Sequence, residues 1–189
     1  MLTKISSLML LLSLYISSFA QKSVSFDFDN DGKIDKMIID QRDQEYSITY
    51  TLSTQKKTFK TPIITVGGQE NSLSMAKNVI VFHSQYMRGE NTFRFRYDDK
   101  LKQLKIIGFD NTQYGNATND GSGTSSYNLS TGQYIANWNH FDERKNTLVA
   151  VPKISKKYPL KNYKVNQLKD EVISQLQDVG YELLPSYMK

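Results

Sequence analysis

Cysteine is absent from the 189-residue chain, which also has only two histidines and four prolines. Without cysteine the protein can form no disulfide bond, and it has no thiolate nucleophile and no site for a lipid anchor on cysteine. Its stability must therefore come from an apolar core, or from a core that a bound metal ion reinforces. A zinc site is disfavoured too, because zinc is usually bound by cysteine or histidine.

Recognisable catalytic motifs are also missing. His83 and His140 form no HxxxH pair, and the chain has no GxSxG motif and no glycine-rich loop that would bind phosphate. We therefore predict that the protein is not an enzyme. A glycosidase that uses two carboxylates stays open as an alternative, since a sequence does not show how far apart two carboxylates lie in space.

Long apolar runs are confined to the start of the chain. Residues 1–20 have a lysine near the start, an apolar run from Leu8 to Ile16, and small residues that end at Ala20. This pattern is typical of a cleavable signal peptide, and the run is too short to span a bilayer. We predict a single mature domain at residues 21–189, without a transmembrane segment, that is periplasmic or secreted.

Most of the remaining chain alternates apolar and polar residues with a period of two, which predicts β-strands. The pattern is clear in Tyr46–Leu52. It also predicts hairpins from Phe93 to Phe109 and from Tyr127 to Ile135, and a short buried strand at Pro62–Val66. The expected class is mainly β, with antiparallel hairpins.

One C-terminal segment has a helical period instead. Its apolar residues fall on one stripe: Val165, Leu168, Val172, Ile173, Leu176 and Val179. This predicts an amphipathic helix at about 163–179 that packs on a sheet face. Asn162 or Asn166 is expected to cap its start, and Gly180 to follow its end.

The most specific motif is D-x-D-x-D-G-x-x-D at residues 27–35. The expected ligands of a metal ion are the carboxylates of Asp27, Asp29, Asp31 and Asp35 and the carbonyl oxygen of Lys33. Gly32 permits the tight turn, and Ile34 is expected to point into the core. This many oxygen donors suits Ca²⁺, while a turn that is rich in aspartate for conformational reasons alone is the alternative. Without a cation the crowded carboxylates would repel one another, so we predict a structural calcium site.

The motif resembles the calcium loops of EF-hands, dockerin repeats and FG-GAP repeats. An EF-hand would need a glutamate where Ile38 stands, and both flanks are predicted strands rather than helices. Strand, loop and strand are the pattern of an FG-GAP blade hairpin, which implies that the four aspartates bind calcium. A full propeller would repeat the loop, and this chain has one copy.

A longer resemblance extends over the predicted leader, the aspartate loop, and segments 93–98, 104–110 and 126–132. In this order they resemble a group of small periplasmic bacterial proteins. That resemblance implies an incomplete propeller-like or barrel-like β arrangement with one C-terminal helix. It also implies binding and inhibition of cell-wall (peptidoglycan) hydrolases, including as immunity proteins against the effectors of neighbouring cells.

Two segments are candidates for the surface that binds a protein partner such as a hydrolase or toxin. The polar stretch Asp110–Thr124 is predicted to be a functional or a mobile loop. If the protein is an inhibitor, the loop from Asn111 to Tyr127 is expected to contact the partner through Tyr114, Asn116, Ser122 and Tyr127, and the alternative is that the tyrosines only cover the end of the sheet. The basic stretch Glu143–Lys169 is either a solvated face or a site for an anionic partner. Nucleic acid is not an expected partner. A calcium-dependent adhesive or carbohydrate-binding module is the alternative function.

Overall fold

The computed structural model describes residues 22–187, so the predicted signal peptide lies outside the described residues. The described chain contains twelve strands and one α-helix. The strands are β1 (Ser23–Phe26), β2 (Asp35–Arg42), β3 (Glu45–Leu52), β4 (Lys57–Lys60), β5 (Glu70–Ala76), β6 (Val79–Tyr86), β7 (Gly89–Asp98), β8 (Gln103–Gln113), β9 (Gly123–Asn128), β10 (Gln133–Asp142), β11 (Thr147–Ala150) and β12 (Ile154–Lys157). The helix α1 (Asp170–Leu183) lies between two short 3₁₀ turns, Val165–Gln167 and Leu184–Ser186.

The strands form two antiparallel sheets. The first has four strands in the order β1-β2-β3-β4, and the second has eight strands, in which β5 to β11 follow one another as a meander. β12 pairs with the first half of β10, next to the half that pairs with β11. Neither sheet closes on itself within residues 22–187. The prediction of a mainly β fold, with an incomplete arrangement of antiparallel hairpins and one C-terminal helix, is confirmed.

Two local predictions were wrong. Pro62–Val66 is not a strand, and in that segment only Ile64 pairs, through an isolated bridge to Tyr46. Proline has no N–H to donate to a ladder, which explains why the pairing does not extend. The polar stretch at 110–124 is also shorter than expected, because β8 continues to Gln113 and β9 begins at Gly123.

The helix begins later than predicted, at Asp170 instead of about residue 163. A 3₁₀ turn at Val165–Gln167 comes first, and Leu168 then has an extended backbone that interrupts the helical path. The residue before the helix is Lys169, so neither Asn162 nor Asn166 caps it. Gly180 lies inside the helix and not after it.

One face of the eight-stranded sheet carries two parallel rows of side chains. In the first row, residues that face each other across neighbouring strands are nearly all aromatic: Leu73, Phe82, Phe93, Phe109, Tyr127 and Tyr134. The second row lies two residues away from the first on each strand, towards the same edge of the sheet. Its facing residues are polar: Asn71, Ser84, Asn91, Asn111 and Ser125. All of the residues in both rows are buried.

Helix α1 covers this face, as predicted. Its buried side chains include Ile173 and Leu176, and Gln177 donates a hydrogen bond of 3.2 Å to Asn91 in the polar row. At Gly180 a Cβ would lie 2.8 Å from the hydroxyl oxygen of Tyr134, so glycine allows the helix its close approach. No helix in the described part of the chain is long and apolar enough to cross a membrane.

Candidate metal centre

The aspartate motif forms the connection between β1 and β2. Asn30 and Gly32 have positive φ values of 59° and 86°, which asparagine and glycine tolerate better than other residues. Phe28 is buried and anchors the loop to the core, whereas Ile34 is 65% exposed. The prediction that Ile34 points into the core was wrong, because the loop turns Phe28 inward instead.

Three of the predicted ligands lie together. Carboxylate oxygens of Asp27, Asp29 and Asp35 are all within 4.8 Å of one another. Asp35 is the first residue of β2 and is fully buried, while the other two are half-buried. Residues that are eight positions apart in the sequence are thus brought to one point by the turn.

Hydrogen bonds from the backbone hold two of these carboxylates in place. Asp27 accepts bonds from the N–H groups of Asp31 (3.0 Å) and Gly32 (2.8 Å). Asp35 accepts one from Phe28 (2.9 Å) and one from Ser53 (2.7 Å), which directly follows β3. The loop is therefore ordered by its own contacts, and Asp35 links the first hairpin to the next strand.

Asp29 has a different environment. Its Oδ1 atom is buried and has no hydrogen-bond partner among the described residues. Burial raises the pKa of Asp29 above its ordinary value, and the negative charges of Asp35, Asp31 and Asp27 raise it further. A buried acceptor without a donor that also faces other carboxylates is in the position that a bound cation would stabilise.

Of the two remaining predicted ligands, Asp31 lies next to the cluster but outside the group of three. Asp31 is exposed, and its carboxylate accepts a hydrogen bond of 2.9 Å from the backbone N–H of Lys33. Hydrogen bonds from the Thr54 side chain and from Lys33 lower the pKa of Asp31. The structure does not bring Asp31 into the group of three. The carbonyl oxygen of Lys33 stays a predicted ligand.

The oxygen donors of the cluster could hold a hard cation. Its three side chains offer only carboxylate oxygens, which suit Ca²⁺ or Mg²⁺ rather than zinc. The cluster includes no histidine and no nucleophilic side chain that could act with such an ion. An ion held by these three carboxylates would stabilise the loop and would have no catalytic partner in the cluster.

The predicted partner-binding residues separate into two groups. Tyr114 is exposed at the start of loop 114–122, as is Asn116. The side-chain oxygen Oδ1 of Asn116 accepts hydrogen bonds from the backbone N–H groups of Thr118 (2.9 Å) and Asp120 (3.0 Å), so the loop is held together by its own hydrogen bonds. Ser122 is half-buried at the end of this loop.

Tyr127, by contrast, belongs to the aromatic row and is 1% exposed, with its hydroxyl donating to the carbonyl of Tyr158. As a partner contact, Tyr127 was a wrong prediction. The reason is that Tyr127 lies in strand β9, where side chains point alternately into the core and towards solvent. Tyr127 and Ser125 are on the side that faces the core.

Sequence reasoning missed two exposed residues near Tyr114. Met87, in the turn between β6 and β7, is 81% exposed, and Tyr181, in the last turn of α1, is 61% exposed. The backbone N–H of Tyr114 donates to the carbonyl of Arg88, next to Met87. Tyr181 lines the same small depression as Asn111, whose side-chain amide donates a hydrogen bond of 2.9 Å to the hydroxyl of Tyr86, the residue before Met87. Burial raises the pKa of Tyr86, and the phenols of Tyr181 and Tyr114 raise it further. We call Met87, Arg88, Tyr114 and Tyr181 the tyrosine patch.

Comparisons with models of protein families, with curated proteins and with solved structures give no match to this chain.

Proposed function

We propose that the protein is an exported, calcium-stabilised β protein that binds and inhibits a cell-wall hydrolase. The observation that carries the calcium part of the proposal is the buried Oδ1 atom of Asp29, which has no hydrogen-bond donor within residues 22–187 and belongs to a cluster of three carboxylates. A cation at this point would bind at least Asp27, Asp29 and Asp35. Its role would be structural, and the binding of the partner would take place elsewhere.

Calcium would join three pieces of the first sheet. Asp27 follows β1, Asp35 begins β2, and the Asp35 carboxylate also accepts the hydrogen bond from Ser53 after β3. Because the ion would bind the folded protein and not the unfolded chain, its binding free energy would add to the free energy of unfolding.

The tyrosine patch supports the binding part of the proposal. Tyrosine, methionine and arginine are enriched in protein interfaces, and tyrosine and arginine are also enriched among the hot-spot residues that contribute most of the binding free energy. The Arg88 side chain donates a hydrogen bond to the carbonyl of Gly115, and together with the bonds inside loop 114–122 this holds the patch in shape. A surface that is ordered before binding loses less conformational entropy in the complex. The choice of a peptidoglycan hydrolase as the partner rests on the sequence resemblance.

The test is an inhibition assay with purified proteins. A panel of peptidoglycan hydrolases is incubated with the calcium-loaded protein, and lysis of a cell-wall suspension is followed by turbidity. We expect at least one enzyme to be inhibited at an equimolar ratio. The variants Tyr114→Ala and Tyr181→Ala should each weaken inhibition about tenfold or more, as expected for residues at an interface centre.

The matched control is Ile63→Ala, which removes an exposed apolar side chain from outside the patch. It should leave inhibition unchanged. Failure to inhibit any hydrolase of the panel, with retention of the protein on purified wall or glycan, would favour the carbohydrate-binding alternative. Equal losses in Ile63→Ala and Tyr114→Ala would show that the patch is not the binding surface.

A further inference from the structure

A groove lined by lysines lies between the turn after β7 and the segment that precedes α1. Its cations are Lys100, Lys105, Lys161 and Lys164, and the one acidic residue that lines it is Asp98. The depression has a volume of about 370 Å³. A second depression adjoins it, shares Lys161, and adds Lys169. We call these six residues the lysine groove; it shares no residue with the metal cluster or the tyrosine patch.

Like charges face each other in this groove. Lys105 and Lys164 are partners in an isolated antiparallel bridge, and both side chains line the same depression. Two like charges directly across an antiparallel pair destabilise it. Asp98 compensates only one of them, through an ion pair of 2.5 Å with Lys105.

Most of the other lysines lack such compensation. Lys169 has Glu171 at 3.5 Å, but within residues 22–187 no carboxylate lies within 4.0 Å of the ammonium groups of Lys100, Lys161 or Lys164. An anion in the groove would contact ammonium groups from two separate segments and relieve their repulsion. The groove therefore has the electrostatic character of a site for a polyanion.

We propose that the lysine groove binds an extended phosphodiester polymer of the alditol phosphate type. Among residues 22–187 the cations that line it are all lysines, whose ammonium groups bind phosphate oxygens as point charges. Two joined depressions fit an extended chain better than a flat bilayer. In the described part of the chain, Tyr163 is the one aromatic residue of the lining and it is buried, so these residues offer no exposed ring on which a nucleic acid base could stack.

The test uses poly(glycerol phosphate) as the probe, with binding followed by calorimetry at several salt concentrations. The logarithm of the binding constant should fall as the logarithm of the salt concentration rises. The double variant Lys161→Gln/Lys164→Gln should bind roughly tenfold more weakly or worse, and its salt slope should be smaller by about 1 for each lysine removed. Lys100→Gln, which lies in the other segment, should weaken binding in the same direction.

The matched control is Lys36→Gln/Lys57→Gln, which removes the same net charge at exposed positions of the first sheet. It should bind as the wild type does. Equal losses in the two double variants would overturn the proposal, since they would show that net charge alone matters. Tighter binding of poly-glutamate, of oligo(dT) or of vesicles with anionic lipids than of poly(glycerol phosphate) would also overturn it. Thermal melts of all variants check that each is folded.

Discussion

Replacing Asp29 with asparagine is expected to have opposite effects on stability in the absence and in the presence of calcium. Without the ion, the Asp29 carboxylate is partly desolvated and faces the negative charges of Asp27 and Asp35. Asparagine has nearly the same shape and no charge, so the calcium-free variant should melt at a higher temperature than the calcium-free wild type. With calcium the variant lacks one charged ligand and should bind the ion more weakly.

The size of the effect follows from linkage. An ion that binds only the folded state stabilises it by about 2.7 kcal/mol when its free concentration is a hundred times the dissociation constant. In a domain of about 150–250 residues, 1 kcal/mol corresponds to roughly 2–4 °C in melting temperature. For the wild type, saturation with calcium should therefore raise the melting temperature by about 5–11 °C. The increase for Asp29→Asn should be much smaller.

Differential scanning calorimetry in chelator and in millimolar CaCl₂ measures both effects, with MgCl₂ as the comparison ion. Asp99→Asn is the matched control, because the Asp99 side chain is 88% exposed and lies in a different turn. Its response to calcium should equal that of the wild type. If the wild type melts at the same temperature in chelator and in calcium, the metal site does not exist and the reasoning fails.

Three other substitutions test the fold. Asp170→Asn should cost about 1 kcal/mol near neutral pH, since Asp170 accepts hydrogen bonds from Thr65 and Val66. Burial raises the pKa of Asp170, but these hydrogen bonds lower it more, so the pKa lies below 3.8. In urea titrations the destabilisation by Asp170→Asn should therefore be complete above pH 3.8 and should disappear as the pH falls through the lowered pKa of Asp170. The exposed Glu171→Gln should change little. Gly180→Ala should lower the free energy of unfolding by about 1–3 kcal/mol despite the better helix propensity of alanine, while the exposed Ser174→Ala should not lower it. Asn91→Ala should cost about 2–3 kcal/mol in the same assay, because it removes an acceptor from the buried amide of Asn111 and from the half-buried amide of Gln177. A wild-type-like stability of Gly180→Ala or Asn91→Ala would contradict the packing described for the helix and the polar row.

The hairpins could be predicted from the sequence because alternation is a local signal. Phe93, Phe95 and Tyr97 alternate with arginines, and the structure places the two phenylalanines in the core. The start of the helix could not be predicted in this way. Val165 and Leu168 continue the helical stripe and are buried, but they reach the core from a 3₁₀ turn and an extended residue. Burial alone does not distinguish these conformations from an α-helix.

The candidate metal site was also a local prediction, since all of its residues lie within one turn. The sequence did not show which apolar neighbour would be buried, because that depends on the backbone turns at Asn30 and Gly32. The tyrosine patch could not be predicted, because Met87, Tyr114 and Tyr181 come from three distant segments. Only the pairing of the strands and the docking of the helix bring them to the same end of the molecule.

The two rows across the large sheet have a consequence for how the chain finds its fold. If one strand shifted by two residues, it would keep its buried face but would place an amide such as Asn91 opposite a ring such as Phe109. The misplaced amide would then have no hydrogen-bond partner. The shifted strand would lose free energy of folding in this way against both of the strands that flank it. The alternation of aromatic and polar rows thus favours the native register of each strand pair during folding. This matters in a protein that has no disulfide bond to hold its strands together.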